Sequence, residues 1–119
     1  MFNTYEKIFT VKESETAEAV GSGSVPVLST PHMIAYMENT AMDLISEELN
    51  ETDTSVGVLI NVNHLAPTAV NKVVSVEAKQ TDKSGKEYTY EIKAYVDEKL
   101  IGKATHKRMI VDKEEFMKK

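Results

Sequence analysis

Cysteine is absent from the 119-residue chain, which excludes disulfides, thiolate nucleophiles and thiolate metal sites. Any catalysis must use oxygen or imidazole groups. No apolar run approaches the roughly 18 residues that span a bilayer, and the opening stretch MFNTYEKIF has neither the basic nor the apolar region of a secretory signal. A cytoplasmic protein outside the membrane is expected. Positive charge is in deficit as well: 14 Lys and Arg against 19 Asp and Glu leave a formal net charge of −5, whereas nucleic-acid domains carry a clustered basic face. Nucleic acid is not an expected partner, while a small anion needs only a local patch. GxGxxG, GxxxxGK[ST] and HExxH are all missing, and His32, His64 and His106 are far apart in sequence, so neither a metal site nor a resident cofactor is expected.

What is present fits one globular domain over residues 1–119: 41% hydrophobic and 28% charged residues in a chain long enough to bury a core and too short for two. YEKIFTV (5–11) and TAEAV (16–20) read as extended segments that feed a Gly21-Ser22-Gly23-Ser24 connection. Ser29 or Thr30 then caps a helix with Pro31 at its first position, and Met33, Ile34, Met37, Ala41, Met42, Leu44 and Ile45 carry the helical spacing to about Leu49. The rest is strand-like: 56–65, 73–80, 87–96 and 101–111, with a polar turn at 82–86 and a short one at 97–99. The last three strands predict a meander. Joined by the strand before them and one near the N-terminus, they give an α+β protein, a mainly antiparallel sheet wrapped around one long helix, which is the hotdog architecture.

Two ionisable residues break the apolar pattern. At about 100° per residue, Ile34, Ala41, Met42 and Ile45 fall on the same side of the helix as Glu38, with Thr40 and Glu47 opposite, so Glu38 is expected to face inward. Period-two alternation likewise puts Val56, Val58, Ile60, Val62 and His64 on one face of their strand. A buried carboxylate must be paired, protonated or beside a cavity. Each residue alone has an ordinary explanation, a boundary glutamate paired with lysine or a satisfied core histidine; together they suit an acid and base pair. For Thr30, helix capping is sufficient reason.

The order and spacing of these residues resemble the fluoroacetyl-CoA thioesterase-like group of hotdog proteins. The likeness rests on Thr30, on Glu38 eight residues later and His64 a further 26 on, on Gly57 within GVLINVNHLAPT, and on an I-G-x-x-T-H-x-R pattern at Ile101, Gly102, Thr105, His106 and Arg108. The resemblance implies an acyl-CoA thioesterase with Thr30, Glu38 and His64 as its catalytic set, and Gly57 and Arg108 in contact with substrate. It also implies a homodimer whose sheets join and whose active sites lie at the interface, with CoA present only as part of the substrate. Lys99, Lys103 and Lys107 lie near Arg108 in sequence, but Lys103 and Lys107 share a face that Arg108 does not. Where the fluoroacetyl-specific enzyme carries bulky phenylalanines as a lid, this chain has Gly21-Ser22-Gly23-Ser24-Val25, which removes support for fluoroacetyl selectivity. A non-catalytic acyl-CoA-binding module and an acyl-CoA hydratase or dehydratase are the alternative readings.

Overall fold

The computed structural model describes residues 3–119; Met1 and Phe2, the first two of the opening stretch, lie outside it. Five strands, β1 (Thr4–Thr10), β2 (Asp53–His64), β3 (Val73–Ser84), β4 (Glu87–Val96) and β5 (Lys99–Asp112), form one antiparallel sheet in the order β1-β3-β4-β5-β2. The β3-β4-β5 meander is the expected one, turned at Gly85, whose φ of 61° suits a residue without a Cβ. Its alternation is clean: Val74, Val76 and Ala78 of β3 and Tyr88, Tyr90, Ile92 and Ala94 of β4 are buried, with polar residues between them.

Helix α2 (Thr30–Ile45) crosses the buried face of this sheet, its N-terminus capped by Ser29, whose Oγ accepts from the His32 N–H. The helical spacing was legible, but the buried stripe is rotated from the expected one. Met33, Tyr36, Met37, Thr40, Ala41, Leu44 and Ile45 are buried, whereas Met42 is exposed. Thr40 can be buried because its hydroxyl donates to the Tyr36 carbonyl at 2.8 Å and so carries no unmet polar group inward. Glu38 therefore sits on the margin of the apolar stripe, about 100° around the helix from Met37. The α-helix also ends sooner than expected, at Ile45, with a 3-10 turn over Ser46–Glu48 before Leu49.

A second correction concerns residues 16–20. They form a helical turn, α1 (Ala17–Val20), capped by the Thr16 side chain and closed by Gly21 at φ 80°. The N–H groups of Gly21, Ser22 and Gly23 all reach the Ala17 carbonyl, so the glycine-rich connection is the C-terminal lock of that turn. A short helix α3 (Lys113–Met117) follows β5. Among the described residues no helix is long and apolar enough to cross a membrane, and no group of three or more acidic or imidazole side chains is placed to hold a metal ion.

Candidate active site

Strand β2 decides where the polar residues go. Its pairing with β5 shifts register between Gly57 and Leu59, leaving Val58 as an extra residue in a β-bulge. An inserted residue reverses the alternation, so Ser55 and Gly57 before it share the helix-facing side with Ile60, Val62 and His64 after it. The uninterrupted alternation expected for Val56 and Val58 does not hold, whereas the inward placement of His64 does. The partners across the ladder agree: Ser55 lies opposite Ile110, Gly57 opposite Arg108 and Ile60 opposite His106, all three buried on β5.

The bulge brings Gly57 beneath Glu38. A Cβ at Gly57 would meet Glu38 Oε2 at 2.8 Å and the His106 ring at 3.2 Å, so a side chain there would push the carboxylate from this position. Arg108 stands beside it, with Nη1 4.0 Å from Glu38 Oε2. The guanidinium is buried behind the carboxylate and held by three hydrogen bonds: Nε donates to Ser55 Oγ at 3.0 Å, Nη2 to the Ser55 carbonyl at 3.1 Å, and Nη1 to His106 Nε2 at 3.2 Å. Burial lowers the Arg108 pKa and the Glu38 charge opposes that shift, as a buried cation facing one carboxylate requires. Glu38 itself is partly open, its side chain 41% exposed at a cavity of about 220 Å³ floored by Gly57 and walled by Val58, Leu59, Ile60 and His106.

Thr30 and His64 meet elsewhere. Because Ser29 takes the cap, the Thr30 hydroxyl is free to lie 2.7 Å from His64 Nδ1. His64 Nε2 is buried with no hydrogen-bond partner among the described residues. Desolvation lowers the His64 pKa and the Ala66 backbone opposes the shift, which keeps the ring neutral near pH 7. The pair borders a groove of about 450 Å³ lined by Val25, Val27, Leu28, Leu65 and Pro67. Glu38 is not part of it: eight residues of helix separate Thr30 from Glu38 by about 12 Å, and seven residues of strand separate Gly57 from His64 by roughly 20 Å.

Five residues expected from the sequence thus form two clusters within one chain, Glu38 with Gly57 and Arg108, and Thr30 with His64. The sequence marks His106 only as part of the I-G-x-x-T-H-x-R pattern, with no role, and does not single out Ser55. Alternation along β5 was the available signal for His106, since it shares the Arg108 face; Ser55 was hidden because only the bulge aligns it with Gly57. The lysines near Arg108 are elsewhere: Lys103 points away from the helix, and Lys107 pairs with Glu87 at 3.7 Å.

Residues 11–114, which include both clusters, match the family of FlK, the fluoroacetyl-CoA-specific thioesterase. The chain belongs to this family. Among FlK relatives, the fluoroacetyl-CoA thioesterase of Streptantibioticus cattleyicolor is 28% identical over 90 residues, a match covering 76% of this chain but only 65% of that protein. A mutant FlK solved with fluoroacetate and CoA superposes with a TM-score of 0.90 at 24% identity, covering 95% of each chain. A thioesterase superfamily member from Thermus thermophilus gives 0.88 at 24% identity, over 97% of this chain and 85% of the other. At such identities these FlK-like structures establish the hotdog fold of this chain.

Proposed function

We propose that the protein is an acyl-CoA thioesterase that hydrolyses a small acyl-CoA to the free acid and CoA. The observation that carries the reading is the Glu38 carboxylate, seated on Gly57 beside a buried Arg108 and open to a cavity, in a member of the FlK family. Glu38 draws the proton from an attacking water, or attacks the thioester carbonyl itself to form an acyl-anhydride that water then hydrolyses; as the C–S bond breaks, the neutral His64 ring relays the proton released by that water to the departing CoA thiolate. Thr30 orients the His64 ring through Nδ1. Backbone N–H groups near Gly57 or at the start of α2 receive the oxyanion. CoA enters only as part of the substrate, no other cofactor takes part, and the reaction is cytoplasmic.

The two clusters make one site in a homodimer. Strand β2 is an edge of the sheet, and Val58, Leu59 and Ile60 along it are 50%, 44% and 36% exposed, a row of apolar residues beside unpaired backbone. Antiparallel pairing of β2 with its copy, centred between Ile60 and Asn61, puts Gly57 of one chain across from the partner's His64. Cross-strand neighbours are about 5 Å apart, so Glu38 of one subunit and the Thr30–His64 pair of the other then face one substrate.

Thiol release over short, medium and aromatic acyl-CoAs tests the activity. Glu38→Gln is expected to abolish CoA release with the circular dichroism spectrum intact; unchanged turnover removes Glu38 from the reaction. Binding without thiol release identifies a carrier module instead, and a change at the acyl double bond identifies a hydratase.

A further inference from the structure

His106 has no part in the chemistry just described, yet it is 1% exposed and both of its ring nitrogens are committed. Nδ1 lies 2.8 Å from the Leu59 carbonyl oxygen, and Nε2 lies 3.2 Å from Arg108 Nη1. A carbonyl can only accept and a guanidinium can only donate. The ring must therefore donate from Nδ1 and accept at Nε2, which is the neutral Nδ1–H tautomer. Its surroundings favour that form: burial lowers the pKa first, and the Arg108 charge lowers it further against the Leu59 carbonyl and Glu38.

Both partners of the ring control Glu38. Leu59 is the residue at which β2 regains its register after the bulge, and that bulge is what turns Gly57 toward the carboxylate. Arg108 donates from Nε and Nη2 to Ser55 and from Nη1 to His106, which holds the guanidinium facing Glu38 as an ion-pair partner with Nη1 4.0 Å from Oε2. Rotation of the guanidinium would end that alignment, and among the described residues its hydrogen bonds are to His106 and Ser55.

We propose that His106 is a positioning residue for Glu38: the Nδ1–H bond to the Leu59 carbonyl fixes the tautomer, and the bare Nε2 that this leaves holds the Arg108 guanidinium, so that the carboxylate keeps its seat over Gly57. It acts on Glu38 through Arg108. The proposal rests on the role given to Glu38 above, and its test has an arm that needs no turnover.

Two variants separate the two ends of the ring. In His106→Asn the amide N–H takes the place of Nδ1–H against Leu59 while nothing accepts from Arg108; in His106→Gln an oxygen reaches the Nε2 position and accepts from Arg108. His106→Asn is expected to lower kcat by about tenfold or more with KM within about threefold, and His106→Gln to restore most of kcat. Equal kcat for the parent and His106→Asn, or equal loss in both variants, overturns the proposal. Independently of activity, the 15N spectrum of the parent at pH 7 is expected to show a protonated Nδ1 and a bare Nε2 for His106, and the 13C shift of the Glu38 carboxyl is expected to move in His106→Asn and stay in His106→Gln. A protonated Nε2, or a Glu38 signal indifferent to His106→Asn, overturns it even if every acyl-CoA proves inert; if the parent hydrolyses none, the thioesterase reading fails and the spectra alone decide the positioning role.

Discussion

Ser29 and Thr30 are adjacent, chemically alike and assigned to different work. Ser29 is fully buried and satisfies the first turn of α2; Thr30 is exposed and holds His64. The two roles separate on substitution. Ser29→Ala removes a cap and is expected to cost about 1 kcal/mol, a fall of roughly 4 °C in Tm, with little effect on kcat. Thr30→Val leaves the cap in place, so its stability is expected to stay within about 1 kcal/mol of the parent while kcat falls by about tenfold. Thermal unfolding and acyl-CoA turnover, measured on both proteins, check the contrast; a Thr30→Val protein as active as the parent removes the hydroxyl from the mechanism. At this scale the sequence was ambiguous for a definable reason: S-T-P offers two capping hydroxyls, and which of them turns inward depends on where His64 arrives from another strand.

At the scale of the element, β2 carries the largest departure from simple pattern. Period-two reading placed His64 correctly and put Val56 and Val58 on the same face in error, because a bulge is a property of the pairing with β5 and leaves no mark in the alternation of β2 itself. Gly57 does not need its missing side chain for backbone freedom, since its φ is not in the left-handed region. It needs it for space. Gly57→Ala is accordingly expected to leave the sheet folded and to displace Glu38, lowering kcat by about tenfold or more; a crystal structure of the variant should show the carboxylate moved off residue 57, and an unmoved, fully active Glu38 would contradict the site geometry. The helix repeats the lesson. Its spacing is plain in the sequence, but Thr40 could be assigned to the buried stripe only once its hydroxyl had found the Tyr36 carbonyl.

For the whole molecule, the apolar edge and the split site point to the same assembly. Under the proposed homodimer, Ile60→Lys puts a charge in the middle of the exposed edge and is expected to give a monomer in sedimentation and to lose most of the proposed thioesterase activity, because Glu38 would lack the partner's His64. An active monomer would show that one chain suffices. Global stability also has a pH signature. His64 and His106 both have folded pKa values below the ordinary histidine value of about 6.5, so the unfolded chain binds more protons than the folded one in the window between the two values. Their contribution to stability is complete above about pH 6.5 and is lost as the pH falls through the folded values. Tm is therefore expected to drop on acidification from pH 7 toward pH 5, and less steeply in His106→Gln; parallel curves would exclude His106 as a contributor.

The amino-acid sequence determined what is local: the helical spacing of α2, the meander of β3, β4 and β5, a capping hydroxyl at Ser29 or Thr30, and the presence of a carboxylate and an imidazole near the buried faces of two elements. Such features follow from periodicity and turn chemistry within a few residues, and they survive any packing of the elements. Tertiary structure alone decided the rest. The bulge that aims Gly57, the meeting of Thr30 with His64 34 positions away, and the clamp of Ser55, His106 and Arg108 behind Glu38 depend on register between strands distant in the chain. Register is set by pairing and core packing together, so a shift of one residue, invisible in the composition of either strand, exchanges the face that carries chemistry for the face that meets water.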